Sequence, residues 1–144
     1  MKAHLPLACG FLAAMMLSAV AGSAEARKQS TAGMPVEGAV YSGVDKDVHY
    51  KEVLEITSVH GSEVLFDVTT EADFAGIGEV CEGEISDAKG HYANDQITFS
   101  GEEGCKLTVH FSRQHDSVSI TDNNCHYYHG ANCDFGGKNL RRVK

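Results

Sequence analysis

The chain predicts an all-β domain: an antiparallel meander of about eight strands closed into a small up-and-down barrel, with a two-sheet β-sandwich as the alternative. Three observations lead there. From Ala39 onward apolar and polar residues alternate with a period of two. Turn signals interrupt that alternation roughly every 8 to 15 residues. From Ala39 onward no stretch carries the 3.6-residue periodicity of an amphipathic helix. An eight-strand meander closes naturally, and closure removes the open edges on which sheets aggregate.

The elements follow in chain order. Residues 39–42 open the sheet. Residues 48–59 place Tyr50, Leu54 and Ile56 on one face and Glu55 and Thr57 on the other. His60-Gly61-Ser62 is a turn, and residues 63–70 alternate with Val64, Phe66 and Val68 inward. A loop over 71–76 leads to a strand over 77–86, and Asp87 to Gly90 reads as the next turn. Residues 91–100 carry Ile97 and Phe99, and Gly101-Glu102-Glu103-Gly104 is a strong turn signal. Residues 105–112 put Cys105, Leu107, Val109 and Phe111 on one face and Lys106, Thr108 and His110 on the other. Residues 117–122 turn Val118 and Ile120 inward. A loop over 123–133 precedes a last strand within 135–143.

The first 26 residues read as a signal peptide. Lys2 precedes an apolar run from Leu5 to Ala21, and Ala24-Glu25-Ala26 offers a small-x-small cleavage site. The run is shorter than the ~20 apolar residues of a spanning helix, so no membrane anchor is expected. The sequence thus predicts an exported protein, periplasmic or secreted. Residues 27–38 (RKQSTAGMPVEG) read as a flexible lead-in, and residues 39–144 as the barrel domain.

Charge narrows the partners. The formal net charge is -8, and an acidic domain lacks the Lys and Arg that neutralise phosphates. Nucleic acid is not expected as a partner. A basic protein is the electrostatically favoured one.

Beyond the leader there are four cysteines, Cys81, Cys105, Cys125 and Cys133, an even number in an exported small domain. Hairpin turns centred near Gly90, Glu102 and Gln114/His115 put Cys81 opposite Phe99, Phe99 opposite Cys105, and Cys105 beside Asn124 or Cys125. Cys81 and Cys105 then flank an intervening strand, ~10 Å apart at the usual strand spacing and too far to bridge. This favours Cys105–Cys125 and, by elimination, Cys81–Cys133. A local Cys125–Cys133 bridge is the competing pairing.

The densest polar cluster is Cys125-His126-Tyr127-Tyr128-His129-Gly130-Ala131-Asn132-Cys133. Two Cys and two His could hold zinc, but the spacing is not that of a zinc finger and an oxidising compartment favours cystine. No metal or cofactor is expected. The loop is instead the best candidate for a recognition surface, through Tyr127 and Tyr128 with His126 and His129, because cystine lowers the entropy cost of binding. Glu82 and Glu84 share the polar face of one strand and supply acidic character to that surface. The other histidines, His49, His60, His91, His110 and His115, read as solvated. No phosphate loop, nucleophile elbow or HExxH helix is present in the sequence, and no enzymatic activity is expected.

Residues 105–142 (CKLTVHFSRQHDSVSITDNNCHYYHGANCDFGGKNLRR) resemble the tail of small secreted bacterial β-domains: a strand opened by Cys, a hairpin, a second Cys, a His-Gly pair, Phe-x-Gly and a basic end. The layout of leader and disulfide-bonded eight-stranded barrel is similar to that of periplasmic lysozyme inhibitors. The resemblance implies an inhibitor of a cationic envelope or host enzyme such as lysozyme. Inhibitors directed at c-type lysozymes carry a Ser-Gly-x-x-Tyr loop. Here Ser42-Gly43 is followed by Val44-Asp45-Lys46-Asp47 and the next tyrosine is Tyr50, so no inhibitory residue carries over. An exported binding module is the leading expectation. A ligand carrier, its barrel lined by Leu54, Ile56, Val64, Phe66, Phe99, Val109 and Phe111, and a structural envelope protein are the alternatives.

Overall fold

Eight antiparallel strands follow one another around a closed barrel: β1 (Val40–Asp45), β2 (Tyr50–His60), β3 (Glu63–Phe74), β4 (Glu79–Ala93), β5 (Gln96–Ser100), β6 (Lys106–Phe111), β7 (Ser117–Asn123) and β8 (Leu140–Arg142). β8 pairs with both β7 and β1, which closes the ring. The sandwich alternative is thereby set aside. The computed structural model describes residues 33–45, 50–74, 79–130 and 133–144. The expected leader, residues 27–32 of the lead-in and His49 lie outside the described residues.

Period-two alternation explains the core. Leu54, Ile56, Val64, Phe66, Val68, Ile97, Leu107 and Val109 point inward and are fully or almost fully buried. Tyr41, Phe135 and Leu140 join them. Tyr41 and Phe111 meet edge to face at 5.9 Å, as do Phe66 and Phe99 at 6.0 Å. These side chains fill the interior with protein atoms, as expected for a barrel of eight strands.

Turn chemistry moved two boundaries. Asp87 to Gly90 does not turn the chain; β4 runs through it to Ala93. Asp87 instead forms a bulge, with φ 53° and its N–H donated to Asp67 Oδ1 at 2.7 Å, where the β3–β4 register shifts. The hairpin turn is Asn94-Asp95, with φ of 53° and 60°. Two positive φ values at a two-residue loop match the twist of the flanking strands. Cys81 is consequently not opposite Phe99: β5 pairs with β4 only over His91–Ala93. Likewise Phe99 faces Leu107 rather than Cys105. Cys105 does lie beside the 124/125 position, since Lys106 pairs with Asn123.

The expected last strand over 135–143 shrinks to β8. The Gly136-Gly137 stretch before it runs irregularly, with the Gly137 carbonyl accepting Ile120 N–H at 2.8 Å. Residues 33–38, expected as flexible lead-in, are fastened to the barrel. Pro35 is buried, Gly38 N–H donates to Ile56 O at 2.7 Å, and the Tyr92 hydroxyl donates to Gly33 O at 3.1 Å. His115, read as solvated, is buried, and so is His129 of the expected recognition loop. His115 stacks on Phe111 with ring centroids 4.8 Å apart.

Because β5 covers so little of β4, β4 needs another neighbour. A one-turn helix, α1 (His126–His129), supplies it. No helix was expected here. Gly83 makes the fit: a Cβ there would lie 2.5 Å from His129 Cβ and 2.8 Å from Thr70 Cγ2. Gly83→Ala should therefore cost about 1–3 kcal/mol through overpacking and displace α1. Urea unfolding together with the near-UV circular dichroism of the α1 tyrosines checks this; an unchanged midpoint and spectrum would contradict the fit.

Candidate functional site

Both disulfides serve α1. Cys125, at its N-cap, is bonded to Cys105 with Cα atoms 4.3 Å apart. Cys133, four residues after the helix ends, is bonded to Cys81 with Cα atoms 5.6 Å apart. These are the two pairings the register favoured, although the Cys81 register was misplaced. Cys125 and Cys133 are thus not thiolates available to a metal.

Asp122, which the sequence reading passed over, organises the loop. Its Oδ1 accepts the Cys125 N–H at 3.2 Å. Its Oδ2 accepts the Phe135 N–H at 3.2 Å and lies 2.6 Å from His129 Nε2. The other ring nitrogen of His129, Nδ1, is 2.6 Å from Gly130 O. His129 is therefore a buried strut of the loop. An Asp three positions before the first residue of a pinned turn was the available signal: a short side-chain acceptor placed to take a free N–H.

The tyrosines divide. Tyr128 is half-buried, packs edge to face on Phe99 at 6.3 Å, and its hydroxyl accepts the Glu102 N–H at 3.0 Å. Tyr127 is 62% exposed and leans on Tyr128 at 5.1 Å. His126 is exposed. Tyr128 also borders a groove of about 390 Å³ on the outer face of β2–β4, with Lys51, Glu71, Glu82 and Glu84. The register explains the grouping: Lys51 pairs with Glu71, Glu71 with Glu82, and Thr69 with Glu84, so all four charges stand on outward positions. The expected residues Glu82, Glu84 and Tyr128 meet in one groove. Tyr127 and His126 sit on the helix that borders it, and His129 supports that helix from beneath.

On the inner face of the same strands the polar surprise is Glu52. It is fully buried. The Tyr50 hydroxyl donates to its Oε2 at 2.9 Å. Burial pushes its carboxyl up from 4.5 to about 8; the Tyr50 and Gly137 hydrogen bonds pull the other way, and the negative charges of Asp134 and Asp122 add to the rise. Burial also raises Tyr50, assisted by Glu52. The sequence reading passed over Glu52; its place in the period between Tyr50 and Leu54 was the available signal.

No known family model, curated protein or solved structure matches the chain. The functional reading rests on the residues themselves.

Proposed function

We propose that the domain is an exported binding module for a basic protein, acting as an inhibitor of a cationic envelope or host enzyme such as lysozyme. One observation carries the reading. Three carboxylates, Glu71, Glu82 and Glu84, share a groove with Tyr128, and the adjoining helix holding Tyr127 out to solvent is bracketed by two disulfides. Acidic charge speeds encounter with a basic partner. A rigid aromatic supplies contact area at small entropy cost. The filled barrel interior favours this over a carrier of ligands in the core. Export to the periplasm or medium is part of the proposal, since cystine persists in such compartments.

The tyrosines test it separately. Tyr127→Ala should weaken binding to a c-type lysozyme by ~2 kcal/mol and leave the melting temperature unchanged. Tyr128→Ala should instead lower thermal stability, by about 2 kcal/mol for a half-buried ring. Unchanged affinity in Tyr127→Ala would remove the aromatic anchor from the account.

A further inference from the structure

Beside Glu52 the barrel end opens into a cleft of about 360 Å³, bordered by Gly43, Tyr50, Glu52, Gly137, Lys138 and Leu140. Glu52 is fully buried, yet its Oε1 has no hydrogen-bond partner among the described residues. Thr70 pairs with Glu52 across β2–β3 and is 2% exposed. Its hydroxyl lies close enough to Tyr50 to influence that group's ionisation but makes no hydrogen bond of good geometry. Unsatisfied buried polar atoms cost about 1–3 kcal/mol each and are rare in folded proteins. Glu52 borders this cleft whereas Thr70 borders the acidic groove, so Glu52 Oε1 is the unpaired polar atom that the cleft offers to a ligand.

The surrounding charge says which group. Asp134 and Asp122 both act on Glu52 as negative charges. Asp122 is already engaged by His129 at 2.6 Å. Tyr50 presents a neutral hydroxyl, and Lys138 is exposed at the rim. Negative charge from Asp134 and Asp122 favours a positive occupant, and once ionised Glu52 offers it the unpaired acceptor Oε1. A cation bearing N–H donors answers that atom.

We propose that this cleft binds a monovalent organic cation, a guanidinium or primary ammonium group, whose N–H donors reach Glu52 Oε1. The site is distinct from the acidic groove, because Glu52 lies on the inner face of β2 and Lys51 on the outer; it does not depend on the basic-protein reading. With no cation beside it, Glu52 holds its proton to about pH 8. When the cation enters, that proton leaves to solvent and the carboxylate pairs with the charge. The cation has two possible sources, a free small amine or a Lys or Arg side chain of a protein partner.

The test is calorimetric titration of the oxidised protein with methylguanidinium and butylammonium at pH 7, in two buffers of different ionisation enthalpy. Saturable binding is expected, with close to one proton released per cation. The neutral isosteres acetamide and butanol should not bind. Glu52→Gln should weaken cation binding at least tenfold and abolish proton release, while its folded signal by circular dichroism is retained. Absence of saturable binding, equal binding of acetamide, or full affinity in Glu52→Gln overturns the inference. The source is read from lysozyme affinity. A matching loss in Glu52→Gln assigns the cation to the partner's side chain. Unchanged lysozyme affinity beside lost methylguanidinium binding assigns it to a small molecule. A groove that binds lysozyme beside a cleft that binds no cation would sink this inference alone.

Discussion

Glutamine in place of Glu52 should remove most of the pH dependence of this barrel's stability. In the unfolded chain the carboxyl ionises near 4.5, whereas burial keeps it protonated to about 8 in the fold. The raised group leaves stability intact below 4.5. Between 4.5 and about 8 the unfolded chain loses its proton while the folded one must keep it or bury a charge, so stability falls across that window. The full difference corresponds to on the order of 5 kcal/mol, a large fraction of the stability of a small domain. Glutamine keeps the size and an acceptor for the Tyr50 hydroxyl but has nothing to ionise. Urea unfolding at pH 5, 7 and 9 should show the wild type weakening steeply and Glu52→Gln remaining nearly level. Parallel curves would mean that the carboxyl is hydrated in solution.

The second large effect belongs to the Cys81–Cys133 bridge. Its cysteines are 52 residues apart in sequence, and closing a loop of that length in the unfolded chain is worth about 4 kcal/mol by the chain-entropy account. The Cys105–Cys125 bridge spans 20, for about 3 kcal/mol. Cys81→Ala/Cys133→Ala should therefore destabilise more than Cys105→Ala/Cys125→Ala. It should also have a local consequence. Cys133 anchors the segment that carries Phe135, which is fully buried, and Gly137, whose backbone lies so close to the Glu52 carboxyl that a Cβ there would collide with it. Loosening that segment lets water reach Glu52, so the double variant should lose part of the pH dependence described above. Thermal unfolding from pH 5 to 9 measures both effects. Equal destabilisation by the two pairs, with pH dependence intact, would count against this account.

Several features of the fold were legible because local chemistry and tertiary context agree. The strand run Cys105, Leu107, Val109 and Phe111 has every inward position buried, and the Cys105–Cys125 pairing followed from neighbouring strands, leaving Cys81–Cys133 by elimination. The misplaced turn shows where they part. Asp87 to Gly90 and Asn94-Asp95 both carry turn residues, and only the β3 partner decides that the first is a bulge while the second reverses the chain. The helix at 126–129 is a single turn with too few residues for any periodicity; its cystines and Asp122 hold it in place. The groove was half visible. Glu82 and Glu84 lie on one strand, but Glu71 and Lys51 join them only through cross-strand register, which pattern reading locates to within a residue or two at best. Glu52 was not singled out in the sequence although period two puts it on the face of Tyr50 and Leu54, and nothing local reveals that its neighbours leave one oxygen bare.

The central claim is that the outer groove recognises a basic protein by charge. The most direct measurement is the affinity of the oxidised protein for a c-type lysozyme, at low and at physiological salt, for the wild type and for Glu82→Lys/Glu84→Lys. Both glutamates are exposed, so the double reversal should fold normally. The account predicts saturable wild-type binding that weakens with salt, and at least a tenfold loss with a flattened salt response in the reversed variant. Wild-type protein that does not bind, or a reversed variant that binds equally well at both salt concentrations, would contradict it.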